Sequence, residues 1–387
     1  MALTAARSGS TYLQRERALK PDVILVLSFL LLAAISIVMV YTASAPRARS
    51  LGEPESAEAI KQAVFAVVGV VAFIVASVIE PRTIRLSAPS VYLASLVTLV
   101  VVQFTRVHDG AQRWIDLGPV QFQPSEAAKL AVILALAALL ASETGKVLSP
   151  TRIAQALALV AIPAVLIFMQ PDLGTMLVFG FFTVVMLFVA GTTGRQLGFL
   201  MFAAVGGVVV MVQTNLLQAY QVRRLTAFLD EAGSSLDAVY NQQQSEIAIG
   251  AGGLFGTGLL NGAQTNLNFV PVQASDFIFT AIGEQLGFIG ASLILALYAL
   301  IIWRILMIAL VARSQFSQLV AVGFAAMLMF HVFVNVGMTV KVMPVTGLPL
   351  PWMSAGGTAF VVMSTGLGIV HGIWMRRSPV PGERSIL

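Results

Sequence analysis

Long uninterrupted apolar runs constrain the fold of this chain more than any other feature. A helix needs about 20 apolar residues to cross the hydrocarbon core of a membrane, and runs of that kind recur along most of the chain. Of the 387 residues, 58% are hydrophobic and 11% are charged, whereas a soluble domain carries about 25% charged residues. The sequence therefore predicts an all-α integral membrane protein.

The apolar runs predict ten transmembrane helices, most of them bounded by Pro, Gly or charged residues. The predicted spans are 22–42, 60–79, 88–105, 125–142, 151–169, 173–191, 196–213, 277–303, 317–340 and 355–375. The first run lacks a convincing cleavage site and is interpreted as a retained helix rather than a signal peptide. The predicted organisation is a cytoplasmic N-terminal segment (1–21), a polytopic membrane domain (22–375) and a cytoplasmic C-terminal tail (376–387).

Charge distribution predicts the orientation of the chain. An even number of spans places both termini on one side, and Lys and Arg are more numerous in the inner segments if that side is the cytoplasm. The long connection at about 214–276, between spans seven and eight, is then extracytoplasmic. A connection of that length in a compact protein is usually functional. Most acidic residues outside the spans also lie on this side, so we expect the polar chemistry at the outer face.

Residue usage excludes several classes of site. The chain has no cysteine, which excludes disulfides, thiol nucleophiles and thiolate metal sites. Its three histidines are far apart in the sequence and do not suggest a metal cluster. Lys and Arg are spread among the loops rather than massed in one patch, so no nucleic-acid partner is predicted and membrane lipids are the expected surroundings.

Asp276 is the first candidate for catalysis. It lies where the long polar connection re-enters an apolar span. A carboxylate at that depth is costly and is therefore a functional candidate by default. The alternative is that Asp276 caps the following helix, because Asp favours that position.

A second set of candidates precedes the fourth span. Pro124 and Ser125 indicate a helix start, after which Glu126 and Lys129 lie three residues apart on one helical face. The pair either fixes helix packing or belongs to an outward polar cavity where Lys129 binds an anionic ligand. Arg113 would add a second cation there.

Three further segments supply candidate residues. Asp172 lies in a predicted outer turn, where it either caps a helix or bonds into the same cavity. Arg223 and Arg224, in the long connection, contact either lipid headgroups or a pyrophosphate. Repeated Pro and Gly between Lys341 and Gly357 predict broken backbone at membrane depth, which is tolerated only where protein buries it or where it lines a cavity.

These blocks, in this order, resemble the SEDS family of shape, elongation, division and sporulation proteins, which includes RodA and FtsW, and the resemblance is greater to RodA. The matching motifs are Arg113-Trp114, Gln123-Pro-Ser-Glu126 with Lys129, Gln170-Pro-Asp-Leu-Gly-Thr175, Asp276-Phe-Ile-Phe, Gly283-Glu284 and Pro344-Val-Thr-Gly-Leu-Pro-Leu-Pro351. Family members usually carry Glu and His where this chain has Val272 and Ala274, and Tyr where it has Ala355.

The resemblance implies an inverting peptidoglycan glycosyltransferase (EC 2.4 class) that joins lipid II disaccharides for cell-wall elongation and cell shape. Undecaprenyl pyrophosphate would be released, and a class B penicillin-binding protein would be the partner. The expected location is the bacterial cytoplasmic membrane, with an extracytoplasmic active site.

The residues support a mechanism in which Asp276 is the general base. The predicted substrate-binding residues are Arg113, Gln123, Ser125, Glu126, Lys129, Asp172, Arg223, Arg224, Lys341 and Ser354. A divalent cation, Mg²⁺ or Mn²⁺, is compatible with such a site but is not required.

Two other classes of function are alternatives. A lipid II flippase or transporter needs a path through both leaflets, ideally with broken helices in two related halves, and the sequence shows no inner counterpart of the break at 344–351. A non-catalytic cell-wall scaffold does not need Glu126, Asp172 and Asp276 directed towards one cavity.

Overall fold

The computed structural model describes residues 20–105, 112–118, 120–141, 147–214, 236–270 and 272–377. These residues form a helical bundle, which confirms the predicted fold class. The helices are α1 (Val23–Leu51), α2 (Ala57–Val78), α3 (Pro81–Val101), α4 (Pro124–Leu140), α5 (Pro150–Phe168), α6 (Leu173–Val189), α7 (Gly194–Gln213), α8 (Leu236–Gly252), α9 (Ala263–Asn266), α10 (Ile278–Val311), α11 (Gln315–Thr339) and α12 (Gly357–Met375). A small antiparallel hairpin of β1 (Ile115–Leu117) and β2 (Val120–Phe122) precedes α4.

Each of the ten predicted spans overlaps one of the long helices. Within the described residues, seven helices are long and apolar enough to cross a membrane, and α6 is a shorter apolar helix. The chain is therefore a multi-pass membrane protein. The number ten stays a prediction.

Helix starts follow local sequence signals. The carboxylate of Asp22 accepts a hydrogen bond from the backbone N–H of Leu25 at the start of α1, and the hydroxyl of Ser149 accepts one from Arg152 at the start of α5. Both bonds satisfy N–H groups that have no partner within the helix.

Helix α12 packs most extensively against α2. A Cβ atom added to Gly368 would lie 2.4 Å from the backbone oxygen of Phe73, so the two helices approach closely only because this residue is glycine. Small residues at such contacts are typical of membrane helices. The start of α12 forms one wall of the site described below.

The predicted break between the last two helices is confirmed, because residues 340–356 contain no helix or strand. Buried side chains of α10 and α11 satisfy three carbonyl oxygens of this broken segment. Asn335 donates to Leu348, a ring nitrogen of His331 bonds to Pro349, and the hydroxyl of Tyr298 donates to Pro351. The segment is therefore irregular backbone that protein buries, as membrane depth requires.

The long connection contains helices of its own. Helix α8 packs on α10, and its buried Gln242 donates hydrogen bonds to the backbone oxygens of Met338 and Met343. Helix α10 has non-helical backbone at Gly287, with φ of 67°, where residues 254–256 of the connection press against it. A side chain at Gly287 would be strained and would also collide with that backbone. The connection is thus seated on the same helices that hold the broken segment.

Candidate active site

Asp276 lies at the end of a turn that leads into α10. Its backbone N–H donates to the oxygen of Val272 over 3.1 Å, and the side chain is half-buried. The N-cap of α10 is Phe277, whose side chain makes no capping hydrogen bond. Asp276 is therefore not the N-cap residue of α10.

The carboxylate of Asp276 faces the broken segment. A Cβ atom added to Gly347 would lie 3.5 Å from Oδ2 of Asp276, so this carboxylate lies over the backbone of the Pro-Gly motif. Two segments that are about 70 residues apart in the sequence therefore lie next to each other.

Asn335 of α11 holds these two blocks together. Its Nδ2 donates to the backbone oxygens of Asp276 and Leu348, each over 2.8 Å, and the side chain is fully buried. Sequence reasoning missed Asn335. The available signal was its spacing of four residues from His331, which puts two polar residues on one face of an otherwise apolar helix.

Glu126 and Lys129 form a buried ion pair, with 2.8 Å between Oε1 and Nζ. The ammonium group also lies 2.9 Å from Nε2 of His331, whose Nδ1 is 3.2 Å from the oxygen of Pro349. Because Lys129 donates, Nε2 of His331 accepts and Nδ1 carries the proton towards Pro349. The pair therefore joins α4 to α11 and to the broken segment.

This arrangement matches the packing alternative for Glu126 and Lys129. Neither side chain lines the two cavities described below, and ligand binding by them remains a prediction. Ser125 is also buried, whereas Gln123 is half-buried and its backbone N–H donates to the hydroxyl of Thr358 in α12.

Asp172 is the N-cap of α6. Its carboxylate accepts from the backbone N–H of Thr175 over 3.1 Å and from the hydroxyl of the same residue over 2.8 Å. Arg113 binds the turn just before it, donating to the backbone oxygens of Gln170 and Pro171. Both residues hold the start of α6, and their predicted contacts with substrate remain untested.

The other predicted binding residues have different positions. Lys341 lies near the start of the broken segment, with φ of 59°. The hydroxyl of Ser354 is buried and accepts from the backbone N–H of Leu350 over 2.8 Å, so it stabilises the same segment. Arg223 and Arg224 lie outside the described residues.

A cavity of about 830 Å³ adjoins the turn that carries Asp276. We term it the loop cavity. Its walls are the end of α1 from Ala43 to Leu51, residues of the connection from Asn268 to Ser275, and Ala355. Val272, Ala274 and Ala355, the three departures from the SEDS pattern, all line it. These departures therefore alter one continuous surface beside Asp276.

A second cavity, of about 420 Å³, lies under the β1–β2 hairpin. We term it the hairpin cavity. Trp114, Asp116 and Gln121 of the hairpin region line one side, and residues at the start of α2 and α12 line the other. It shares Glu58 and Ala355 with the loop cavity.

No group of three or more His, Asp or Glu side chains converges on one point within the part of the chain that the structure describes. The predicted divalent cation therefore has no preformed cage of such ligands among those residues. Its participation stays a prediction.

Comparison with known proteins places the chain among cell-wall proteins. Peptidoglycan glycosyltransferase MrdB of Escherichia coli K12 is 40% identical over 311 residues, which cover 80% of this chain and 83% of MrdB. Stage V sporulation protein E of Bacillus subtilis is 35% identical over 354 residues, covering 90% of this chain and 96% of that protein.

Solved structures agree with these sequence relatives. A chain from a peptidoglycan synthase complex that coordinates polymerization and crosslinking has a TM-score of 0.78 and 32% identity, covering 93% of this chain and 99% of that one. The rod shape determining protein RodA of Thermus thermophilus has a TM-score of 0.69 and 29% identity, covering 94% of this chain and 99% of that one. The FtsW/RodA/SpoVE family model, described as cell cycle protein, matches residues 22–378. This chain therefore belongs to the FtsW/RodA/SpoVE family, the SEDS proteins.

Proposed function

We propose that this protein is a peptidoglycan glycosyltransferase that polymerises lipid II, with Asp276 as its general base. The activity follows from its family and from relatives that are named peptidoglycan glycosyltransferases. The observation that carries the assignment of Asp276 is its position. This carboxylate lies over Gly347 in the broken segment, next to a cavity of about 830 Å³.

The reaction needs one proton transfer and one displacement. Asp276 takes the proton from the 4-hydroxyl of the GlcNAc on an incoming lipid II. That oxygen forms a bond to the anomeric carbon of the MurNAc at the reducing end of the growing strand. The bond from this carbon to the pyrophosphate oxygen breaks, undecaprenyl pyrophosphate leaves, and the configuration inverts from α to β.

One carboxylate is sufficient for this displacement. The leaving group departs as a stabilised anion, so it needs no strong general acid, unlike the leaving sugar in a two-carboxylate glycosidase. A positioned base contributes about 10²–10⁴-fold. The remaining acceleration would come from positioning and from cations near the pyrophosphate.

The candidate cations differ in their contacts, and these contacts guide which of them we assign to the pyrophosphate. Lys129 is buried between Glu126 and His331, and Arg113 donates to two backbone oxygens. Lys341 belongs to the broken segment that also contains Gly347. We assign Lys341, together with Arg223 and Arg224 of the same predicted outer face, to the pyrophosphate.

A rigid support keeps the base in place. Asn335 and His331 of α11 bind the backbone of residues 276, 348 and 349. A base fixed by buried side chains needs little reorganisation during the reaction. The Glu126–Lys129 pair supports His331 from the opposite side.

The proposal also covers the orientation of the protein in the membrane and its protein partner. The excess of Lys and Arg in the predicted inner segments supports an orientation in which Asp276 and the cavities lie at the outer face. A polyprenyl tail could then remain in the bilayer while its disaccharide reaches the loop cavity. We propose a class B penicillin-binding protein as the partner, which would crosslink the strands for elongation and cell shape.

The test is polymerisation of purified lipid II in liposomes. The protein would be assayed alone and with a transpeptidase-dead class B partner that has no transferase domain. Asp276→Ala would be compared with Glu80→Gln, which removes a carboxylate from the exposed start of α3. We expect long glycan from the wild type and from Glu80→Gln, and none from Asp276→Ala.

Matched thermal stability of the two variants would show that the loss is not caused by unfolding. Polymer from Asp276→Ala at the wild-type rate would refute the assignment of the base. Absence of polymer from the wild type with its partner would refute the transferase proposal and favour a flippase or a scaffold.

A further inference from the structure

Arginine and tryptophan side chains lie together at the end of the bundle opposite Asp276. Helix α10 begins two residues after Asp276 and ends at Val311, about 50 Å away at 1.5 Å per residue. At this far end, the guanidinium carbons of Arg304 and Arg377 lie 5.0 and 3.7 Å from the centre of the Trp374 ring. Two cations therefore lie against one indole, an arrangement that stabilises both.

A third arginine completes this group, which we term the basic cluster: Arg304, Arg313, Arg377 and Trp374. Arg313 follows the end of α10, is exposed, and donates to the backbone oxygen of Arg377 over 2.9 Å. Arg304 is paired with the buried carboxylate of Asp22. Among the residues named here, three guanidinium groups and one carboxylate leave a net positive charge.

The neighbouring Arg376 shows what a structural arginine does at this end of the bundle. Its guanidinium donates to the backbone oxygens of Ser77, Val78 and Gly372 and so satisfies the end of α2. Arg313 differs, because it makes a single hydrogen bond among the residues that the structure describes. A guanidinium carries five N–H donors, so Arg313 retains donors for a ligand.

An apolar surface adjoins the basic cluster. Trp303, Leu306 and Leu310 are exposed on α10, and their spacing of three and four residues places them on one face of the helix. The centre of the Trp303 ring lies 5.8 Å from the guanidinium carbon of Arg304. A ligand bound to the cluster would therefore meet cations and apolar side chains side by side.

A phospholipid with an anionic headgroup matches both surfaces. Its phosphate oxygens accept hydrogen bonds from guanidinium groups, which hold phosphate in a fork geometry. Its acyl chains pack on apolar side chains, and tryptophan is enriched at the depth where headgroup and chains meet. A soluble anion such as free phosphate would use the cations but not the apolar face.

We propose that the basic cluster binds the headgroup of an anionic phospholipid, whose acyl chains lie along Trp303, Leu306 and Leu310. In the proposed orientation this end of the bundle is cytoplasmic, where the membrane surface carries a negative potential. The bound lipid joins α10 to α12, because Arg313 follows the first helix and Arg377 follows the second. The site is separate from the proposed polymerase chemistry, and its test does not depend on activity.

The experiment measures binding of phosphatidylglycerol to delipidated protein in a neutral detergent, as the rise in Tm across a lipid titration. The test variant is Arg313→Gln/Arg377→Gln. The control, Arg82→Gln/Arg85→Gln, removes two exposed arginines from the start of α3 at the same end of the bundle. We expect the apparent Kd to rise at least about tenfold in the test variant and to stay within about twofold of the wild type in the control.

Arg313→Gln alone keeps the proposal testable if the double variant does not fold, because its side chain is exposed. Removal of this one cation should raise the apparent Kd about fivefold. An unchanged Kd in the folded single variant would show that Arg313 does not bind the headgroup and would contradict the proposal.

Three other results would overturn the site. Equal Kd values for the test and control double variants would mean that binding follows net charge rather than the basic cluster. Equal affinity for phosphatidylcholine with the same acyl chains would show that the site does not select an anionic headgroup. A rise in Tm with inorganic phosphate alone, equal to that with lipid and lost in the test variant, would assign the cluster to a soluble anion.

Discussion

Asn335 donates hydrogen bonds from one amide nitrogen to the backbone oxygens of Asp276 and Leu348, each over 2.8 Å. The two acceptors belong to separate blocks of sequence, the end of the long connection and the broken segment. One buried side chain therefore sets the position of the proposed base relative to the Pro-Gly motif beside it.

Replacement of Asn335 should impair catalysis through this bridge. Asn335→Asp has nearly the same shape but places an acceptor against two carbonyl oxygens, and each unsatisfied buried group costs about 1–3 kcal/mol. We expect kcat for polymerisation to fall at least about tenfold with a smaller change in KM. Steady-state kinetics on lipid II would measure this, and a wild-type kcat in a folded variant would show that the bridge does not position the base.

The Glu126–Lys129 pair should be important for stability. Removal of one member of a buried pair leaves an uncompensated charge and costs about 3–5 kcal/mol. We expect Lys129→Met to lower the Tm in detergent more than the double variant Lys129→Met/Glu126→Gln does. Thermal unfolding of both variants and of Glu126→Gln alone completes the cycle. Equal Tm values for the single and double variants would contradict the coupling.

Glu284 should order the segment that precedes Asp276. This buried carboxylate of α10 accepts from the backbone N–H groups of Gln264 and Thr265 and from the hydroxyl of Thr265. Gln273 in turn donates to that hydroxyl over 2.9 Å. We expect Glu284→Gln to speed amide hydrogen exchange across residues 256–270, and unchanged protection there would refute this role.

The ion pair of Asp22 and Arg304 should affect stability without affecting chemistry. Two guanidinium nitrogens of Arg304 donate to Oδ2 of Asp22 over 3.0 and 2.7 Å. Asp22 precedes α1, whereas the opposite end of this 29-residue helix lines the loop cavity, about 40 Å away at 1.5 Å per residue. We expect Arg304→Gln to lower the Tm and to retain the polymerisation rate measured below its unfolding range. A selective loss of kcat would show coupling between the two ends.

The sequence predicted those parts of the site that follow from local residue patterns. Repeated Pro and Gly predict the break at 344–351, and the spacing of Glu126 and Lys129 predicts their pairing. His331 and Asn335 could not be placed in the site in this way, because two polar residues on one face of an apolar helix do not reveal their partners, which are distant in the chain. Lys129 and His331 are 202 residues apart.

The cavities also depend on tertiary contacts that no local sequence pattern predicts. Ala274 and Ala355 are small residues of separate segments, and the backbone hydrogen bond between them places both on the wall of the loop cavity. The sequence alone shows that these positions depart from the SEDS pattern. That they share one surface follows only from the tertiary structure, in which the connection packs on α10 and against the broken segment.

The most direct test of the central claim separates binding from chemistry at Asp276. Asp276→Asn keeps the size of the side chain but removes the base, so we predict that lipid II binding to protein in nanodiscs stays within about threefold. The rate of glycosidic bond formation in a single turnover should fall at least about 100-fold. Bond formation by Asp276→Asn at the wild-type rate would contradict the account and would mean that another group accepts the proton.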